Sequence, residues 1–110
     1  MNERVPRATL LVVDDEKHQR ESLQMILEDE GYRVTAAADG RQALALASRT
    51  HPEVVLTDLK MPGLTGMDVV RALSEGSLPP RVILITAHGS VDRAREAHRL
   101  GAFDYMSKPV

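Results

Sequence analysis

No cysteine and no tryptophan occur in this chain, and its only aromatic residues are Tyr32, Phe103 and Tyr105. The lack of cysteine excludes a disulfide framework and thiol chemistry. With so few rings, the core has to be built from Val, Leu, Ile, Ala and Met. A basic run is missing too, and the formal net charge is −2, which argues against a nucleic-acid surface. Long apolar runs are absent. Behind the charged, Pro6-bearing start from Met1 to Arg7, the run Leu10 to Val13 is too short for a signal peptide or a membrane span. The expectation is a soluble, cytoplasmic protein with no membrane partner. No internal repeat or low-complexity tract interrupts the chain. At 110 residues it has room for one domain, 1–110, and not for a second.

What is present centres on Val54-Val55-Leu56-Thr57-Asp58, followed by Leu59-Lys60-Met61-Pro62-Gly63. The apolar start reads as a strand buried on both faces, because nothing in it alternates with polar residues. Met61-Pro62-Gly63-Leu64 has Pro and Gly at the second and third places of a type II turn. Asp58 therefore sits where a strand meets a loop, the rim at which open parallel sheets bind ligands.

Four other apolar runs predict strands: Leu10–Val13, Arg33–Ala37, Arg81–Thr86 and Phe103–Met106. Between them lie helical patterns. The first starts at Lys17, has Leu23, Ile26 and Leu27 on one stripe, and stops at Gly31. The second, Arg41–Arg49, is capped by Asp39 and faces inward with Ala43, Leu44 and Ala47. The third runs from Met67 to about Glu75 with Met67, Val70 and Leu73 inward, capped by Thr65 or Gly66. The fourth is capped by Ser90 and runs through Leu100, with Val91, Ala94 and Ala97 inward and Gly101 as its stop. Five strands alternating with four helices at crossover spacing predict an α/β fold with a parallel sheet.

Four of the five strands end in polar groups: Asp14 and Asp15, then Asp58, then Thr86, then Lys108. Parallel strands bring their carboxyl ends to one edge, so these groups are candidates to converge. Carboxylates gathered there repel; two like charges at 4 Å cost about 4 kcal/mol at an effective dielectric near 20. A hard divalent cation relieves this, and an oxygen-only donor set points to Mg²⁺. A metal, a nucleophilic carboxylate, a hydroxyl and a lysine are the parts needed to take a phosphoryl group onto an acid.

Asp14-Asp15, Asp58 with Met61-Pro62-Gly63, Thr86-Ala87 and Lys108-Pro109 resemble the signature of response-regulator receiver domains, in order and spacing, from Thr9 to Pro109. Thr57 to Gly63 and Thr86-Ala87-His88-Gly89-Ser90 are similar to receivers of NtrC-type transcriptional activators. The resemblance implies a doubly wound, flavodoxin-like sheet of order 2-1-3-4-5. It also implies a phosphoacceptor at Asp58. Asp15, Asp58 and the backbone carbonyl of Lys60 would ligate Mg²⁺, with Asp14 holding the ion through water. Thr86 and Lys108 would contact phosphoryl oxygens, Lys108-Pro109 would be a cis peptide, and Tyr105 would be the aromatic that responds when Thr86 moves. The implied partners are a histidine kinase and, in a longer parent chain, an output domain, expected to be an ATPase with a DNA-binding module. Catalysis would be confined to the domain's own phosphorylation and dephosphorylation, so it is not an enzyme acting on other substrates.

Taken singly, Asp58 is an ordinary strand-end carboxylate and Thr86 an ordinary strand residue; their shared rim favours the functional reading. Tyr105 could simply pack. Lys60 and His88 read as solvated neighbours of the pocket, His18, His51 and His98 as surface residues, and Glu16 as a support for the acids. The family fold ends in a fifth helix that has no counterpart before Val110, so the chain reads as a piece of a longer regulator, with homodimerisation as the other way to cover that face. Competing readings are a degenerate receiver acting as an interaction module and an Mg²⁺-dependent aspartyl phosphatase. The phosphatase would want a second acid where Lys60 stands. A nucleotide-binding domain lacks its Gly-rich loop after the first strand.

Overall fold

The computed structural model describes residues 8–58, 63–76, 79–86, 99 and 104–107. Its first strand, β1 (Thr9–Val13), is apolar at four consecutive positions, and Leu10 to Val13 are all buried. A strand buried on both faces belongs in the middle of a sheet. Here β1 pairs in parallel with β2 (Arg33–Ala37) on one side and β3 (Val54–Asp58) on the other. Beyond β3 come β4 (Arg81–Thr86) and β5 (Asp104–Ser107), both parallel. The order is β2-β1-β3-β4-β5, the doubly wound, flavodoxin-like arrangement expected.

Alternate residues of β1 serve different layers. Leu11 and Val13 join Ala37, Val55, Val82 and Leu84 beneath α2 (Gly40–Thr50) and α3 (Gly66–Ser74), which contribute Ala43, Ala47, Val69 and Val70. Leu10 and Val12 join Val34 on the opposite face, against Leu23 and Leu27 of α1 (Lys17–Asp29). Each fully buried Val or Leu side chain contributes about 1.5–3 kcal/mol. The face under α2 and α3 therefore carries the larger share.

Some packing differs from expectation. Val55 is fully buried, but Val54 and Leu56 are only half-buried. The strand is thus sealed on one face and partly covered on the other, the face on which α1 packs, and α1 too has no buried residue. Ile26 is 59% exposed. Leu23 and Leu27, four apart, define the stripe that meets the sheet, and Ile26 lies about 80° to one side of it at about 100° per residue. In α3 the innermost residues are Val69 and Val70, with Met67 and Leu73 flanking them.

Local signals set the helix ends. Gly31 follows α1 with φ of 99°. Its N–H donates to the Glu28 carbonyl at 3.0 Å, and that of Tyr32 donates to the Leu27 carbonyl at 3.1 Å, a Schellman stop. Asp39 caps α2 through Gln42, and Thr65 with Asp68 forms a capping box on α3. Gly63 has φ of 76°, the sign that the third place of a type II turn demands; Met61 and Pro62 lie outside the described residues. The helix expected from Ser90 through Leu100 lies outside them as well, apart from the helical Arg99. Among the described residues, no helix is long and apolar enough to cross a membrane.

Candidate metal and phosphoacceptor site

The register of the sheet brings the acids together. Val13 is opposite both Ala37 and Thr57, so Asp14 leaves β1 beside Asp58, the last residue of β3. The Asp14 N–H donates to the Ala37 carbonyl at 3.1 Å, extending the ladder by one bond. Thr57 is fully buried and anchors the end of β3, its hydroxyl donating to the Asp58 carbonyl at 3.1 Å.

One carboxylate oxygen each from Asp14, Asp15 and Asp58 lies within 4.8 Å of the others. The three differ in setting: Asp14 is buried, Asp58 half-buried and Asp15 exposed. Asp14 is held along its whole length. Its Oδ1 accepts from the Glu16 N–H at 2.9 Å, and its carbonyl accepts from Arg20 Nη1 at 2.9 Å. Three carboxylates at this separation, one removed from water, form a hard, all-oxygen donor set. That chemistry fits a small divalent cation such as Mg²⁺ and not a metal preferring sulfur or imidazole.

Glu16 does more than support the acids. It is the N-cap of α1, with Oε1 accepting from the His18 N–H at 3.1 Å and Oε2 from the Gln19 N–H at 2.9 Å. Glutamate is not a usual cap, so the sequence gives little warning beyond an acid three residues before Gln19. The Gln19 and His18 amides, helped by the charges of His18 and Arg20, hold its carboxyl below the ordinary 4.5. A carboxylate lowered on folding stabilises the fold above its unfolded pKa, and that contribution fades as pH falls through the lowered value. Glu16→Gln is therefore expected to melt below wild type at neutral pH, with the gap closing as pH drops below 4.5. Melting curves across that range check this; a gap independent of pH would mean that the charge is irrelevant.

The remaining expected site residues are placed unevenly. Thr86 ends β4 one residue past Ile85, which pairs with Asp58, and Thr86 itself pairs with Ser107. Its backbone thus lies at the edge that carries the acids. Tyr105 of β5 pairs with Leu84 of β4. Lys60, His88, Lys108 and Pro109 lie outside the described residues, so the lysine contacts and the cis peptide do as well.

The comparisons with known proteins agree with this arrangement. The family profile described as response regulator receiver domain matches residues 10–110. The chain is 40% identical over 100 residues to the C4-dicarboxylate transport transcriptional regulatory protein DctD of Pseudomonas aeruginosa, covering 91% of this chain and 22% of that protein. It therefore spans about a fifth of that relative's length. With sporulation initiation phosphotransferase F of Bacillus subtilis it shares 36% identity over 109 residues, 99% of this chain and 84% of that one. Among solved structures, the chemotaxis protein CheY4 of Vibrio cholerae superposes with a TM-score of 0.90 at 34% identity, covering 94% of this chain and 88% of that one. With a profile matched over nearly its whole length and identities of this size in relatives of the same fold, the chain belongs to the response regulator receiver domain family.

Proposed function

We propose that residues 1–110 form a phosphoacceptor switch in which Asp58 takes a phosphoryl group from a histidine kinase. The observation carrying this reading is the triad itself: a strand-end carboxylate, half-buried, with two further acids within 4.8 Å of it. In the transfer, an Asp58 carboxylate oxygen forms a bond to phosphorus. The bond from phosphorus to the donor's imidazole nitrogen breaks, its electron pair staying on that nitrogen. The product is an acyl phosphate, and hydrolysis returns the carboxylate and inorganic phosphate. Mg²⁺ supplies neutralising charge to the phosphoryl oxygens when bound, and its ligands would be Asp15, Asp58 and the Lys60 carbonyl, with Asp14 acting through water.

Thr86 and Lys108 are assigned to the phosphoryl oxygens. Hydrogen bonds to a charged group are worth about 1.5–3 kcal/mol each. A shift from 1:99 to 99:1 between two states needs about 5.5 kcal/mol. Two such bonds are just enough, so phosphorylation would bias an existing equilibrium, with Tyr105 following Thr86. Catalysis is limited to the domain's own phosphorylation and dephosphorylation. An output domain with transcriptional function in a longer chain is the matching partner, in keeping with the likeness to a transcriptional regulator that is 22% covered by this chain.

Acetyl phosphate tests the reading without the kinase. The chain is expected to gain one phosphoryl group in the presence of Mg²⁺ and none after chelation, with the label mapping to the peptide that carries Asp58. Intact-mass and peptide-mass spectrometry read both. Labelling that survives chelation, or that maps elsewhere, contradicts the assignment.

A further inference from the structure

Asp15 is the exposed member of the triad, and among the described residues its carboxylate accepts no hydrogen bond. Its position is inherited from the peptide groups on either side of its Cα. The group that follows is held by its nitrogen, since the Glu16 N–H donates to Asp14 Oδ1 at 2.9 Å. The group that precedes is held by its oxygen, since the Asp14 carbonyl accepts from Arg20 Nη1 at 2.9 Å. A peptide group is planar and turns as a unit. Pinning one atom of each group therefore restrains both φ and ψ of Asp15.

Arg20 is anchored well enough to do this. It lies on the first turns of α1, half-buried, four residues past the cap. Its own N–H donates to the Glu16 carbonyl at 3.0 Å, while the Glu16 carboxylate accepts from the His18 and Gln19 N–H groups. From this fixed base the guanidinium reaches back to the peptide that the cap leaves alone. Its choice of partner is informative. Asp14, Asp15, Glu16 and Glu21 are all near in sequence, yet the hydrogen bond goes to a neutral main-chain oxygen. A charge pair would only offset the acids, whereas a bond to the main chain sets geometry.

We propose that Arg20 is a positioning residue for the divalent cation: by holding the Asp14 carbonyl it presets the Asp15 carboxylate before the ion arrives. This rests on the metal reading of the triad, in which Asp15 is a direct ligand. The sign of the effect separates positioning from plain electrostatics. A guanidinium near three acids repels an incoming cation, so losing its charge alone would tighten Mg²⁺ binding. Losing the bond frees Asp15, and contacts that orient a metal ligand are worth about ten- to a hundredfold in affinity.

The test titrates Mg²⁺ into wild type, Arg20→Met, Arg20→Gln and Arg20→Lys, following the amide chemical shifts of Asp15 and Glu16. Met keeps the stem and the helix propensity, Gln falls short of the carbonyl, and Lys keeps a charged donor of nearly the original reach. The Met and Gln variants are expected to bind about tenfold more weakly, and Lys to recover most of the loss. In chelator, hydrogen exchange of the Glu16 N–H should quicken in the Met and Gln variants. Labelling by acetyl phosphate should slow at low Mg²⁺ and recover at saturation, a split that general damage to the fold would not give. Wild-type or tighter affinity in the Met and Gln variants overturns the proposal. So does a Lys variant as weak as they are, or a labelling deficit that persists at saturation. If Arg20→Met does not melt cooperatively, the Gln and Lys variants decide by the same criteria. If wild type binds no Mg²⁺, the metal reading fails; unchanged Glu16 exchange in a wild type that does bind it refutes the brace alone.

Discussion

Asp58→Asn is expected to abolish labelling by acetyl phosphate, from one phosphoryl group per chain to none, while the fold survives. The substitution is nearly isosteric, and the residue keeps its place opposite Ile85 of β4, a pairing made by the main chain. What disappears is nucleophilicity, because an amide oxygen does not carry the charge that attacks phosphorus. One anion also leaves the triad, so Mg²⁺ affinity falls with it. Mass spectrometry reads the stoichiometry, and sensitivity to hydroxylamine distinguishes an acyl phosphate from a phosphoester. Full labelling of the variant would place the acceptor on another residue.

Asp15→Asn should exchange the order of stabilities between two buffers. In chelator, wild type keeps three carboxylates within 4.8 Å of one another. Two unit charges at that distance repel by about 1 kcal/mol in a water-like medium and by about 3 kcal/mol at an effective dielectric of 20. Asp15 is the exposed member, so the lower figure applies, and the variant should melt a few degrees higher. In saturating Mg²⁺ the order reverses. An ion at a hundred times its dissociation constant stabilises the folded state by about 2.7 kcal/mol, and a site short of one ligand captures little of that. Calorimetry in the two buffers measures the crossing. A variant less stable than wild type in both would mean that the acids do not strain one another.

Much of this was legible because the informative residues lie on strands. Asp58 could be placed at a strand end from its apolar run and the Pro-Gly turn behind it. Parallel crossover spacing then implied that Asp14, Asp15 and Thr86 shared its edge, and the register of β1, β3 and β4 has that form. The features that escaped depend on contacts remote in sequence or on atypical chemistry. Gly40 follows a capping aspartate and reads as ordinary helix; only the arrival of Leu64, whose Cβ would stand 2.7 Å from a Cβ on Gly40, explains the missing side chain. Glu16 caps α1 although its side chain is longer than those that usually do so. Ile26 passed for a core residue because helical periodicity tolerates a broad stripe, whereas a sheet accepts the narrower one set by Leu23 and Leu27.

Because both sides of β1 are buried, a slip of that strand by one pleat would exchange the layers served by Leu11 and Val12. The same slip would carry Asp14 away from the third strand, since its place follows from Val13 facing Thr57. Inserting or deleting one residue ahead of the acids should therefore ruin hydrophobic packing and ion binding in a single stroke. Folding quality and chemical competence are inherited together in this domain, and a chain that has found its native alignment has already assembled its charges.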